Sequence, residues 1–459
     1  MNTSTDTRTP GAAHAEAPAG SAAPLYDFDR WTDPPALPAD LTADLEPASA
    51  VVTGLGIVAP TGIGVEEYWA ATLAGRCAIG RPTRFDTSAY PARLAAEVPG
   101  FVARDRVPSR LLSQTDRSTQ FGLVAAQEAL ADAGIDPAAL PEYGAGVVTA
   151  ASAGGVEFGQ RELGHLWHRG KQSVSAYQSF AWFFAATAGQ VSIRHGLRGP
   201  SGVLISEQAG GLDALGQARR VVRKGTPVAL SGGVDGVLCP WGWMGQLATR
   251  RLSAAEDPAA AYRPFDAAAD GYVPGEGGAI LVVEDERSAG RRGSGRGYGQ
   301  IAGYAATFDP GPKAVDRALA QGRPAPEPGL RRAAELALAD AGLEPGQIDV
   351  VFADAAGVPQ LDLAEAEAIE ALFGRYGVPV TAPKTMVGRL IGGGASLDAA
   401  TALLALRDGV IPPTVNVAAV APDYALDLVL GRARPAALRT ALVLARGYGG
   451  FNAALVLRA

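Results

Sequence analysis

Cysteine and histidine are almost missing from this chain. Among 459 residues there are two cysteines, Cys77 and Cys239, and four histidines, His14, His165, His168 and His195. Two thiols so far apart make neither a disulfide framework nor a metal knuckle, which points to a reducing cytoplasm. Long apolar runs are missing too. The nearest, Phe180 to Ala188, falls short of the ~18–20 residues of a membrane span and is flanked by Gln178, Ser179 and Gln190. The opening MNTSTDTRTP has no apolar core of a secretory signal. Nor is there an excess of positive charge: 40 Lys+Arg against 47 Asp+Glu leave −7, a poor balance for binding nucleic acid or anionic lipid. With 47% hydrophobic and 19% charged residues, the remainder is a globular profile.

What is present begins after a proline-rich stretch, residues 1–49, which reads as a disordered tail carrying one aromatic cluster (Tyr26, Phe28, Trp31). A strand at Val51-Val52-Thr53 runs into Gly54-x-Gly56-x-x-Ala59. The spacing loosely matches a dinucleotide fingerprint, but Pro60-Thr61-Gly62 follows where a helix should open, so that reading is rejected and no cofactor is expected. A buried helix is expected over Ser118 to Ala133, ending at Gly134 and followed by the strand Gly146–Thr149; Leu330 to Ala341, Gly342 and Val350–Phe352 repeat that order. Both helices end in the same hexapeptide, Ala-Leu-Ala-Asp-Ala-Gly at 129–134 and again at 337–342. The repetition predicts a duplicated α/β fold with halves at 50–290 and 300–459, joined near an exposed connector, 286–299.

The strand Gly202–Ile205 turns through Ser206-Glu207-Gln208-Ala209-Gly210-Gly211 into a helix. Such an elbow presents one side chain at a helix N-terminus, where a cysteine thiolate would be stabilised. The residue presented is Gln208, whose amide cannot attack an acyl carbonyl.

This elbow, with Gly199-Pro200-Ser201, Phe265-Asp266, Asp270-Gly271, Gly275-Glu276-Gly277 and the loop Gly447-Tyr448-Gly449-Gly450-Phe451-Asn452, resembles the β-ketoacyl synthases of the thiolase superfamily, over residues 50–459. The resemblance implies an α/β fold of thiolase-like duplicated halves in a layered α-β-α-β-α core. Members condense acyl units with one Cys and two His. Here Gln208 stands at the Cys position. Asp354 (in Asp354-Ala-Ala-Gly-Val-Pro359) and Arg389 (in Lys384-Thr-Met-Val-Gly-Arg389) stand at the two His positions, and Lys384 is retained. No histidine follows His195, so the second half cannot supply an imidazole pair. Within the family this pattern is similar to the chain length factors, the non-condensing β subunits of type II polyketide ketosynthases. That likeness implies a heterodimer with a Cys-bearing ketosynthase, malonyl units on an acyl carrier protein, and a tunnel that sets the length of a polyketide, usually aromatic. Two alternatives remain: malonyl decarboxylation through Gln208, and a purely structural dimerisation partner.

For the tunnel or interface, two segments are candidates. One is the helix from residue 113, through Gln114, Thr115, Ser118, Thr119 and Phe121; the other is the aromatic run Tyr177, Phe180, Trp182, Phe183 and Phe184, whose plainer reading is ordinary core. His165 and His168, with no third ligand, read as a surface pair rather than a metal site, and Cys77, Cys239 and His195 as structural.

Overall fold

The computed structural model describes residues 49–294, 297–310 and 329–459, so the expectation of a disordered tail, with its aromatic cluster, falls on residues outside the described ones except for Ser49. Besides the two-residue strand Gly62–Ile63, the first half carries β1 (Ala50–Ala59), β2 (Ala145–Ala150), β3 (Ser201–Leu204), β4 (Val228–Asp235) and β5 (Gly277–Asp285), in spatial order β3-β2-β4-β5-β1. The second carries β6 (Gly299–Phe308), β7 (Val350–Phe352), β8 (Pro379–Thr381), β9 (Asp427–Leu428), β10 (Thr440–Arg446) and β11 (Phe451–Arg458), in the order β9-β8-β7-β10-β11-β6. Leaving aside β9, the two orders correspond strand for strand. In each, three strands run parallel and the last two antiparallel. The sheets join edge to edge through Val51–Gln300 and Val52–Gly299.

Helices fill three layers around them. Two, α1 (Arg117–Asp132) and α3 (Ala186–His195), cover the outer face of the first sheet; between them in sequence lies α2 (Val156–Arg169). Two more, α4 (Gly210–Arg223) and α8 (Gly394–Asp408), pack on each other between the sheets. On the far face lie α6 (Gly329–Ala341) and α7 (Pro359–Phe373), while α5 (Pro240–Ala248) flanks α2. The middle layer explains the apolar composition of α8, which is buried from Gly394 through Leu406. Its Leu397, Leu403 and Leu404 share one core with Leu212 and Leu215 of α4, and with Leu281 and Val443 from the two sheets. Burying each such side chain contributes about 1.5–3 kcal/mol.

The repeated hexapeptide makes the same contact in each half. A Cβ on Gly54 of β1 would lie 2.3 Å from the Ala129 carbonyl oxygen, and one on Gly303 of β6 would lie 2.1 Å from that of Ala337. Helix and strand approach at backbone distance, so Gly54 serves packing. Two expectations need adjusting. The first repeated helix starts at Arg117, because the Asp116 side chain accepts from the Ser118 N–H and caps it there. The connector is not all loop: Glu286–Arg292 is helical, capped by Asp285. Among the described residues, no helix is long and apolar enough to cross a membrane.

Candidate functional site

β3 ends at Leu204, and the chain then turns through Glu207, whose φ of +53° is a left-handed conformation forced by the elbow. Gln208 follows on a short 3-10 turn, Glu207–Ala209, that leads into α4. Its side chain is inaccessible, at 0% exposure, and neither amide atom has a hydrogen-bond partner. It abuts Gly394 at the start of α8, where a Cβ would come within 2.2 Å of the Gln208 Nε2. The nearby Ser206 hydroxyl donates to Asp213, whose other oxygen accepts from Tyr304, so that hydroxyl is committed.

The other seats meet where β7, the segment after β8 and the end of β10 converge. Arg389 Nη2 donates to Asp354 Oδ1 at 3.0 Å and to the Arg446 carbonyl at 3.0 Å, while its Nη1 donates to the Asp354 carbonyl at 3.0 Å. Asp354 Oδ1 also accepts from the Arg446 N–H at 2.9 Å, and Oδ2 from Arg446 Nε at 3.4 Å. Arg446 reaches on to Glu365 Oε2 at 3.2 Å, and the Glu365 carboxylate accepts the N–H groups of Asp354 and Ala355. Lys384 Nζ lies 2.7 Å from Asp398 Oδ2. All six are buried, and three carboxylates face three cations. Burial by itself raises the Asp354 carboxyl; Arg389, Arg446 and Lys384 reverse this and hold it well below the usual carboxylate range.

This arrangement restricts the chemistry. Gln208 supplies no nucleophile, and Asp354, whose ionised form Arg389 and Arg446 favour, has both oxygens occupied. Arg389 cannot give up a proton at neutral pH. Acyl transfer needs an activated nucleophile and a base free to take its proton, and among the described residues these seats hold neither. Among the described residues, no cluster of His, Cys, Asp or Glu suits a metal ion.

Glu365, Arg446 and Asp398 are the three site residues that sequence reasoning missed. Asp362 and Glu365 stand three apart on an alanine-rich helix, a spacing that puts both on one face and could have marked them. Asp362 takes the N–H groups of Phe265 and Gly357, and burial pushes its carboxyl up to about 7.

Two cavities border the seats. A cleft of about 100 Å³ is lined by Asp354, Arg389, Arg446, Tyr272, Glu207 and Tyr448. A larger one of about 480 Å³ shares Glu207, Tyr272 and Tyr448 with it and continues past Val156, Val237, Trp241 and Ile391. The sequence candidates lie elsewhere. Ser118, Thr119 and Phe183 border a small void of about 10 Å³ beside Asp235, and the Thr119 and Thr187 hydroxyls meet at 3.2 Å. Gln114 bonds the Arg110 carbonyl, and Thr115 that of Leu111, both local turns. Phe121, expected on a tunnel wall, points into the outer core. Its ring stacks edge-on against Phe101 at 4.7 Å, beneath the Arg117 guanidinium, because the apolar face of α1 is turned to the sheet. The aromatic run is not core. Trp182 and Phe183 are 54% and 55% exposed, Tyr177 and Phe184 are also exposed, Phe180 is half-buried, and Trp182 meets the exposed Trp241 edge-on at 5.5 Å.

The remaining scarce residues are structural. His168 bonds the Gly164 carbonyl at the surface, and Cys239 caps α5 through the Gly242 N–H, with its thiol pushed up to about 11 by burial. Burial pulls His195 down to about 4, so it is neutral.

A doubled α/β sheet with a buried helical layer, an elbow aimed at that layer, and a glycine-rich turn behind the seats define a thiolase-like ketosynthase scaffold. The chain belongs to the β-ketoacyl synthase family: residues 48–289 match its N-terminal domain model and residues 298–418 its C-terminal domain model. It is 58% identical over 413 residues to the tetracenomycin polyketide synthase ketoacyl synthase beta subunit of Streptomyces glaucescens, covering 90% of this chain and 98% of that one. In structure it resembles the ishigamide ketosynthase/chain length factor, with a TM-score of 0.81, 29% identity, and coverage of 90% of this chain and 100% of the other. It also resembles a type II polyketide ketosynthase solved with its acyl-carrier protein (AntDE:AntF), with a TM-score of 0.79, 26% identity and the same coverage.

Proposed function

We propose that this chain is the non-condensing β subunit, or chain length factor, of a type II polyketide ketosynthase, acting in the cytoplasm beside a Cys-bearing ketosynthase fed by an acyl carrier protein. One observation carries the reading: the synthase scaffold is complete while its seats hold an inaccessible amide and a saturated ion-pair network. The face offered to the partner is the outer edge of β3, the last strand of its sheet, with Ile205 at 52% exposure, together with the exposed Trp182, Phe183 and Trp241. An open edge and exposed aromatics both suit a second chain of the same architecture. The cavity of about 480 Å³ contributes this subunit's share of the tunnel wall.

Co-expression with a Cys-bearing ketosynthase tests this. The two should co-purify, Trp182→Ser with Phe183→Ser should separate them, and Trp241→Ala should shift products toward longer chains. Co-purification with unchanged product length would leave only a structural partner. Decarboxylation through Gln208 is disfavoured, since the amide is inaccessible. Equal CO₂ release from malonyl-carrier protein by wild type and Gln208→Ala complexes removes it.

A further inference from the structure

Asp235, the last residue of β4, is 2% exposed, and its carboxyl accepts four backbone N–H groups from three separate segments. Oδ2 takes Ser152 at 2.9 Å and Ala153 at 3.3 Å, both on the stretch between β2 and α2. It also takes Gly392 at 3.3 Å, on the short turn Ile391–Gly393 that opens α8. Oδ1 takes the neighbouring Gly236 at 3.0 Å. The cavity of about 480 Å³ is lined by Ser152, Ala153, Val237 and Ile391, so each segment that Asp235 holds contributes to that wall. Asp235 itself borders the small void of about 10 Å³ instead. Two of the three segments need such a hold. Ile391 stands at φ +53°, where a β-branched residue persists only if its surroundings impose it, and the next N–H is the one Asp235 takes. The stretch through Ser152 and Ala153 belongs to no helix or strand; its Gly155 N–H reaches the Ala181 carbonyl at 3.0 Å, beside the exposed aromatics.

We infer that Asp235 is a positioning residue for chain-length control: one carboxyl fixes three segments relative to one another, and with them the width of the tunnel wall, without touching the growing chain. Four donors converging on two buried oxygens leave each segment little freedom, because any N–H that moves away is left unpaired in the interior. The inference rests on the function proposed above.

The ketosynthase complex carrying Asp235→Asn tests it, assayed at pH 8, above the value of about 7 to which burial raises this carboxyl. Asparagine fills the same space but keeps one acceptor oxygen, so whichever way the amide turns an N–H faces an NH₂ group. The subunits should still co-purify, while the ratio of wild-type-length product to all other lengths falls about tenfold. In the full-length chain, amide hydrogens of residues 150–155 and 390–394 should exchange at least about tenfold faster. Glu284→Gln is the comparison. That acid is 1% exposed and bonds Thr53 and Arg292, which line neither cavity beside the seats, so its loss should leave the product ratio unmoved. Should the asparagine variant not assemble, the smaller Asp235→Ser carries the same expectation, and failure of both to assemble would reduce Asp235 to a folding role and overturn the inference. Unchanged exchange, an unmoved ratio in an assembled complex, or an equal shift in Glu284→Gln would overturn it and leave the proposed function standing. A wild-type chain that joins no ketosynthase would overturn both.

Discussion

The two halves build the same elbow and put it to different use. In the first, Glu207 at φ +53° begins a short turn, Glu207–Ala209, that opens α4; in the second, Ile391, also at φ +53°, begins Ile391–Gly393, which opens α8. The first carries a side chain at its second position, Gln208, and the second carries Gly392. They pack head to head: Gln208 rests on Gly394, and a Cβ on Gly211 would lie 2.4 Å from the Ser396 amide nitrogen. The backbone device is therefore common to both halves, and whatever chemistry the fold performs depends on the one side chain the first elbow presents. Around it the seats differ again, Gln208 lacking any polar partner while Asp354 and Arg389 are fully engaged.

The largest effect is expected from breaking the engaged side. Arg389→Met breaks the buried pair and leaves the Asp354 carboxylate with Arg446 as its only directly bonded cation, which should cost about 3–5 kcal/mol, read as a lower urea midpoint. A loss below about 1 kcal/mol would mean that the pair is solvated.

Removing the buried acids comes next. Asp235 and Asp362 are both pushed up to about 7 by burial. The folded chain thus keeps protons that the unfolded chain releases near pH 4. Stability is present at low pH and falls as pH rises between about 4 and 7, by up to about 1.4 kcal/mol per unit for one group. Asp362→Asn should flatten that slope in denaturation curves from pH 4 to 8, and an unchanged slope would place the titration elsewhere.

Contact between the elbows predicts a smaller, coupled effect. Gly394→Ala should cost about 1–3 kcal/mol by overpacking against Gln208, and a Gln208→Gly background should return most of it. Additive losses would separate the two elbows. Smallest is Gln208→Leu. Replacing an amide with two unpaired buried atoms by an apolar side chain of similar size should be neutral or stabilising by about 1 kcal/mol, with products unchanged. A marked destabilisation would show that the amide has a partner, such as a buried water.

Much of this could be read from residue order because it rests on local or repeated signals. Gly54 and the hexapeptide at 129–134 and 337–342 announce a close helix–strand crossing twice, and the run after Leu204 announces an elbow. Contacts assembled from distant segments could not be read this way. Arg446 and Glu365 belong to the site through β10 and α7, which approach Asp354 only across the second sheet. Phe121 and Trp182 were ambiguous for a related reason. Both are large aromatics, and only packing decides which one the sheet covers and which one stays in water.

By itself the sequence determined the scaffold and the loss of condensing chemistry, since residue identity decides whether a thiol or an imidazole exists at all. Only the tertiary structure decided what replaced them. It closed four distant charges, Asp354, Arg389, Arg446 and Glu365, into one network beside the separate Lys384–Asp398 pair, shut the Gln208 amide away from solvent and left Trp182, Phe183 and Trp241 uncovered, because burial and pairing depend on the neighbours that folding supplies.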